Sequence, residues 1–388
     1  MKEKRLVPKR RLKEFQGEEG WVLRSFGEFS SVKMNKRIFK YQTTKTGEVP
    51  FYKIGTFGGT PDSFISRKLF NEYKENYPFP NVGDILISAS GSIGRTVEYT
   101  GENEYFQDSN IVWIEHKGIL DNRFLKQFFN IVKWEGLEGS TIKRLYNKNI
   151  LETDIFVPTF NEQKKIGVFF QKLDDLIELY EEKLSKLEET RESYLHKMFP
   201  QKGSDVPEMR FEGFYGPWEV KNLGQLLRYK QPTEYLVSSD LYDDRNSVPV
   251  LTAGQSFILG YTSETFGLKK ASVENPVIIF DDFTTSSHYV DFEFKVKSSA
   301  LKILSAKNLQ DNLYFLYYAL NEIKYKPMNH QRHWISVFSE FEILTPSVEE
   351  QQLIGNFFKN LDDQINAQER KLDKLREMKK AYLEEMFV

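Results

Sequence analysis

The chain has 388 residues, a formal net charge of -2, 40% hydrophobic and 15% aromatic residues, and no cysteine. This exceeds one ordinary domain of roughly 100–200 residues and predicts two to four units. Near-neutrality excludes a uniformly basic nucleic-acid binder but leaves locally basic faces open, and the lack of cysteine excludes disulfides and thiolate zinc sites and fits a reducing cytoplasm.

The N-terminal stretch MKEKRLVPKRRLKEF is charged and has no apolar core, so it does not read as a signal peptide. The most apolar runs, such as Pro276–Phe280, are far too short to span a bilayer. After a lead-in (Val7–Trp21), the region to Pro158 reads as mixed strand and helix. Strands are expected at Val49–Ile54, Asp84–Ser88 and Ile111–Ile114, and a helix at Asn122–Phe129. From Ser30 to Ile150, 17 Lys and Arg stand against 13 Asp and Glu.

Three loops in this region mix cations with hydroxyl and amide side chains, the types that contact phosphates and base edges. Candidate DNA contacts are Lys36, Arg37, Thr43, Thr44 and Lys45 in KMNKRIFKYQTTKTG, and Ser90, Ser92 and Arg95 in SASGSIGR. The third loop, GSTIKRLYNKN, adds Thr141, Lys143, Arg144, Asn147 and Lys148. The glycines of SGSIGR lack phosphate-loop spacing and predict a tight turn at a strand end. Asp62 followed by Glu72-x-Lys74 satisfies a loose nuclease pattern, but the intervening residues read as a loop running into a helix, with surface charges around a turn.

Pro158 and the capping box Thr159-x-x-Glu162 start a helix near residue 160. Ile166, Phe170, Leu173, Ile177, Tyr180, Leu184, Leu187, Arg191, Tyr194 and Met198 then recur at alternating spacings of four and three, the 3.5-residue repeat of a coiled coil. At 1.5 Å per residue the helix would be roughly 55 Å long. Pro200 and Gly203 end it.

The second half repeats this plan. Val206–Trp218 resembles Val7–Trp21, Val248–Gly254 resembles Val49–Gly55, and Asp311-Asn312 matches Asp121-Asn122. Strands are expected at Pro276–Phe280 and Leu301–Leu304, and a helix at Asn312–Asn321. FDDFTTSS stands where the first half has SASGSIGR, and PMNHQRHWISV where it has GSTIKRLYNKN. Candidate contacts here are Thr284, Thr285, Ser286, Asn329, His330, Gln331, Arg332 and His333. His330 and His333 could face one metal from a helical turn, yet no third ligand is evident and no metal site is assigned. No catalytic constellation is found, and the Asn-Pro-Pro-aromatic motif of amino-methyltransferases is absent.

Ser347-x-x-Glu350 caps a second long helix, whose stripe is Ile354, Phe358, Leu361, Ile365, Gln368, Leu372, Leu375, Lys379, Tyr382 and Met386. At a shift of 188 residues, half the positions from Pro158 to Phe199 are identical to those from Pro346 to Phe387. Each stripe needs a partner, and the nearest is its own copy. Arg191 and Lys379 sit at the same point of the two stripes and would repel in a parallel pair, so an antiparallel pair is expected.

Tandem halves with variable heads, each followed by a helix opening P-x-x-x-E-Q-x-x-I-G and carrying F-F then L-D, closely resemble the DNA-specificity subunit of type I restriction–modification enzymes. ILISASGSIGR and GSTIKRL are similar to phrases in that family's target recognition domains. The resemblance implies an α+β fold: two mixed α/β target recognition domains joined by two long antiparallel coiled-coil helices, an internal tandem repeat with pseudo-twofold symmetry. The boundaries expected are 1–158 and 201–346 for the recognition domains with their lead-ins, and 159–200 and 347–388 for the helices. It further implies a non-catalytic cytoplasmic subunit that binds double-stranded DNA. Each head would read half of a bipartite asymmetric site, with the helix pair setting the unread spacer. The implied partners are two methyltransferase subunits carrying S-adenosylmethionine and two restriction/translocase subunits using ATP and Mg. No cofactor on this chain and no membrane are implied. The alternatives are a coiled-coil scaffold whose heads bind protein and a metal-dependent nuclease using Asp62, Glu72 and Lys74.

Overall fold

The computed structural model describes residues 4–135, 143–253, 256–325 and 333–388. Two long helices, Phe160–Met198 and Val348–Met386, run through it. The chain divides into two units. The first comprises residues 1–181 and 371–388, and the second residues 182–370. Each unit therefore holds one head, the N-terminal part of one long helix and the C-terminal part of the other. Among the described residues no helix is long and apolar enough to cross a membrane.

The two heads have the same topology. In the first, an antiparallel sheet runs in the order Ser31–Lys33, Ile111–Glu115, Ile85–Ser88, Thr96–Glu98. In the second the order is Leu227–Lys230, Leu301–Ala306, Val277–Asp281, Ser287–Val290. A second sheet in each head pairs its central strand antiparallel on one side and parallel on the other. That strand is Val49–Tyr52 in the first head and Val248–Leu251 in the second. The central strands of the larger sheets are buried on both faces, which accounts for the continuous apolar runs ILIS and VIIFD. The head helices are Asn122–Ile131 and Leu313–Asn321. Every strand and helix expected from sequence is present.

The P-x-x-x-E-Q-x-x-I-G phrase fixes the head to the helix, and each residue has a distinct task. Thr159 and Ser347 cap their helices, accepting from the amides of Glu162 and Glu350 at 3.4 Å. The return arm of the expected capping box is not made. Glu162 instead takes a two-pronged bond from Arg11 of the lead-in, at 2.7 Å on each side, and Glu350 takes one from Arg210 at 2.8 and 2.6 Å. A planar guanidinium outcompetes the single cap amide for a buried carboxylate. Gln163 accepts from the Asp121 amide and donates to the Pro158 carbonyl. Gln351 does the same with Asn312 and Pro346. Gly167 and Gly355 allow the head helix to approach: a Cβ would meet Asp121 Oδ1 at 2.9 Å in the first unit and Asn312 Oδ1 at 2.0 Å in the second.

These contacts also correct the alignment of the halves. Asp121 caps one head helix and Asn312 the other, so Asp121 corresponds to Asn312 and not to Asp311.

Each core closes on the C-terminal end of a long helix. In the first unit Phe387 stacks on Phe124 at 5.1 Å and meets Trp21 at 6.0 Å and Phe170 at 6.1 Å. In the second Phe199 stacks on Phe315 at 5.4 Å and meets Trp218 at 5.9 Å and Phe358 at 6.1 Å. Ile166, Phe170, Ile354 and Phe358 thus belong to head cores as well as to the helix pairing. Leu173, Leu361, Ile365 and Leu372 are buried, whereas Ile177, Leu184, Leu187, Tyr194, Leu375 and Tyr382 are half-buried.

The long helices pack antiparallel within each unit. In the first, Asp174 pairs with Lys379 at 2.5 Å and Glu181 with Arg376 at 2.5 Å. In the second, Arg191 pairs with Asp362 at 3.1 Å and Tyr194 lies 5.0 Å from Phe357. The two cations that would repel in a parallel pair each find an aspartate.

Candidate nucleic-acid interface

In the first head the hairpin between strands Ile85–Ser88 and Thr96–Glu98 is the tight turn its glycines foretell, with φ of 66° at Gly91 and 85° at Gly94. It is braced from within. Ser88 Oγ donates to the Ser92 carbonyl and accepts from the Arg95 amide, and Arg95 donates to the Phe57 carbonyl at 2.7 Å. Ser90 and Arg144 form an antiparallel bridge, and the Leu145 amide donates to Ala89 at 2.9 Å. Two loops more than fifty residues apart in the sequence thus lie side by side on one edge of the head.

The second head repeats the arrangement with different residues. Its hairpin lies between Val277–Asp281 and Ser287–Val290. Asp282 accepts from the Trp334 amide at 2.9 Å, and its carbonyl lies 2.6 Å from His333 Nδ1. Asp281 accepts from the Phe283 amide and the Thr284 hydroxyl, so the turn is held from beneath. Asp282 and Lys302 form an ion pair at 2.7 Å in which both side chains are 3% exposed.

The candidate residues separate by exposure. Lys36, Arg37, Thr44, Lys45, Lys143, Arg144, Asn147, Lys148, Thr284 and Ser286 face solvent or are partly open to it. Ser92 and Arg95 are exposed as well, whereas Thr43 and Thr285 are half-buried. Two residues are not available to a ligand as they stand. Ser90 is 5% exposed with its hydroxyl donated to Asn110, and His333 is 1% exposed. A hydroxyl or imidazole suits base reading by type, but here both complete the packing between hairpin and loop. Thr141, Asn329, His330, Gln331 and Arg332 lie outside the described residues.

Partners refine the rest. Arg37 is paired with Asp108 at 2.9 Å, and Lys148 with Glu152 at 3.7 Å. Lys36 lies over the Tyr77 ring at 4.8 Å. Thr43 and Thr44 donate to backbone carbonyls of their own loop. Lys40, Lys45 and Lys53 line a cleft of about 590 Å³ together with Thr43, Thr44 and Gln107. Sequence reading singled out neither Lys40 nor Lys53.

The nuclease-like residues do not converge on a site. Asp62 is paired with Lys53 at 2.7 Å, which holds its carboxyl below the ordinary carboxylate range. Lys74 lies over the rings of Phe70 and Phe79 at 5.3 and 5.0 Å. Among the described residues no group of three His, Cys, Asp or Glu is placed to hold a metal ion.

The family model described as "Type I restriction modification DNA specificity domain" matches twice, over residues 18–189 and 215–377. A type I restriction enzyme specificity subunit from Haemophilus influenzae is 52% identical over 151 residues, 39% of this chain and 39% of that relative. The EcoR124I/EcoR124II specificity subunit of Escherichia coli is 49% identical over 129 residues, 32% of this chain and 31% of the relative. Both alignments thus span well under half of each relative. The MjaX specificity subunit of Methanocaldococcus jannaschii aligns over 93% of this chain and 91% of its own length at 22% identity. Among solved structures, the type I restriction–modification S subunit of M. genitalium superimposes over 99% of both chains, with a TM-score of 0.71 and 18% identity, a likeness of fold. The chain belongs to the family of type I restriction modification DNA specificity domains and carries that domain twice.

Proposed function

We propose that this chain is the non-catalytic DNA-specificity subunit of a type I restriction–modification complex. Each head reads one half of a bipartite, asymmetric site on double-stranded DNA, and the antiparallel helix pair sets the unread spacer. Methyltransferase subunits carrying S-adenosylmethionine dock on the helices, flip an adenine in each half-site and methylate it. Restriction subunits using ATP and Mg complete the nuclease. The complex then holds two methyltransferase and two restriction subunits and works in the cytoplasm.

The observation that carries this reading is one frame bearing two different sets of loops. Arg–Glu, Gln–cap and Gly contacts recur in both units, while the paired loops at the head edge differ: Ser90 with Arg144 in one, Asp282 with His333 and Trp334 in the other. Rigid scaffold with variable edge loops is how one fold recognises different ligands. The candidate cations Lys36, Lys45, Lys143 and Arg144 would contact phosphates and position the heads, and the hydroxyl and amide side chains beside them would read base edges.

The test is a genome-wide map of N6-methyladenine in cells with and without the gene. Loss of methylation at one bipartite motif is expected. If no motif changes in cells expressing the methyltransferase partner, the reading fails and a scaffold with protein-binding heads replaces it.

A further inference from the structure

The short turn Lys40–Gln42 in the first head holds two aromatic rings in solvent. Phe39 is 47% exposed and Tyr41 84% exposed. The rings lie parallel within 8°, with centroids 5.8 Å apart. Neither joins a core cluster of this head. A single exposed aromatic is ordinary, but this stacked pair sits on a built support. The Gln42 side chain accepts from the Phe39 amide at 2.9 Å, and the Thr43 hydroxyl donates to the Lys40 carbonyl at 2.8 Å. Thr44 and Phe64 then exchange backbone bonds in both directions at 2.9 Å. A turn pinned on both sides presents its rings with little entropy left to lose on binding.

The surroundings select the ligand. Lys36, Arg37, Lys40 and Lys45 fall within ten residues of sequence, and Lys40 and Lys45 line the cleft beside the turn. An apolar protein partner would not favour so many cations. Flat π-faces among phosphate-seeking cations are the composition that stacks on nucleobases while neighbours hold the backbone.

We propose that Phe39 and Tyr41 form a base-stacking platform. Tyr41, the leading ring, packs against the face of a base pair at an opened step of duplex DNA, with Phe39 behind it and Lys40 and Lys45 on the flanking phosphates. The platform rests on the DNA-reading function proposed above. It adds a contact that senses how readily a step opens, where the edge-reading side chains sense base identity.

The experiment uses the full chain with its methyltransferase partner and a duplex carrying the motif found by methylation mapping, with 2-aminopurine placed in turn across the first half-site. Wild type is expected to change the fluorescence at one step besides the adenine that the methyltransferase flips. Tyr41→Ala should abolish that change and weaken binding roughly 5- to 150-fold, the range of one base–aromatic stack. Tyr41→Phe should retain both. Tyr215→Ala, at a ring 86% exposed elsewhere, should do nothing. The thermal unfolding temperature of Tyr41→Ala should match wild type, because the ring is in water. The platform is overturned if wild type changes the fluorescence at no position other than the flipped adenine. It is equally overturned if Tyr41→Ala binds like wild type, or if Tyr41→Phe loses as much as Tyr41→Ala; in these cases motif binding by wild type leaves the broader function standing. If wild type fails to discriminate the motif from a scrambled duplex, both proposals fall.

Discussion

The Arg11–Glu162 pair joins residues 151 positions apart, and its side chains are only 5% and 0% exposed. Charges taken this far out of water are tolerated because the fork geometry satisfies both carboxylate oxygens. Arg11 also donates to the carbonyls of Glu18 and Glu19, so the guanidinium ties down the lead-in as well. Replacing Arg11 by Ala leaves Glu162 buried and unpaired, a loss of about 3–5 kcal/mol. Urea denaturation of Arg11→Ala should show that loss, and the Arg11→Met/Glu162→Gln double variant should recover most of it. An Arg11→Ala chain as stable as wild type would mean that the carboxylate is solvated after all. A second residue-scale effect is set by pH. The hydrogen bond from Lys295 holds Glu264 below its ordinary pKa of 4.5. A carboxylate depressed in the folded state adds stability above its unfolded pKa, which is lost as pH falls through the folded one. Thermal stability of wild type should therefore fall as pH drops below about 4.5, by more than that of Glu264→Gln; parallel curves would show that the pair adds nothing.

At the scale of the element, the long helices show what a sequence discloses and what it withholds. Their stripe is periodic and local, so Ile166, Phe170 and Leu173 could be placed on one face from spacing alone. The opposition of Arg191 and Lys379 gave the direction of pairing, because like charges cannot share a level. The true partners, Asp362 and Asp174, and the diversion of Glu162 to Arg11 depend on contacts far apart in the chain that no local spacing encodes. The same limit explains the site loops. Ser90 and His333 have side chains suited to reading bases, yet packing between hairpin and loop buries them. Nothing in the sequence marks Phe39 and Tyr41, because aromatic residues belong in cores by default, and only exposure sets these two apart. The helix ends carry the clearest element-scale prediction. Phe387 fills the aromatic cluster of the first unit, and truncation to Ala should cost about 3–5 kcal/mol. Hydrogen exchange should show reduced protection of Asn122–Ile131 in Phe387→Ala, with Leu313–Asn321 unchanged; Phe199→Ala should reverse the pattern. Equal loss in both head helices would mean that each helix end does not serve its own core.

For the whole molecule, the proposed division of labour separates what is read from how far apart it is read. Head loops would choose the half-sites, and the antiparallel helices would choose the spacer. The stripe repeats every seven residues, so adding one heptad to each long helix, at positions opposite one another, preserves the packed face. Seven residues add about 10.5 Å at 1.5 Å per residue, which corresponds to about three base pairs at 3.4 Å each. Methylation mapping of the lengthened chain should therefore return both original half-sites with a spacer longer by about three base pairs. On that proposal the linkage between heads would also make binding of the second half-site effectively intramolecular, so a rigid insertion should shift the preferred spacer without broadening it. Retention of the old spacer would show that the helices do not act as the ruler. Altered half-sites would show that base reading is not confined to the heads. A spacer that becomes variable would mean that the helices tether the heads without fixing their separation.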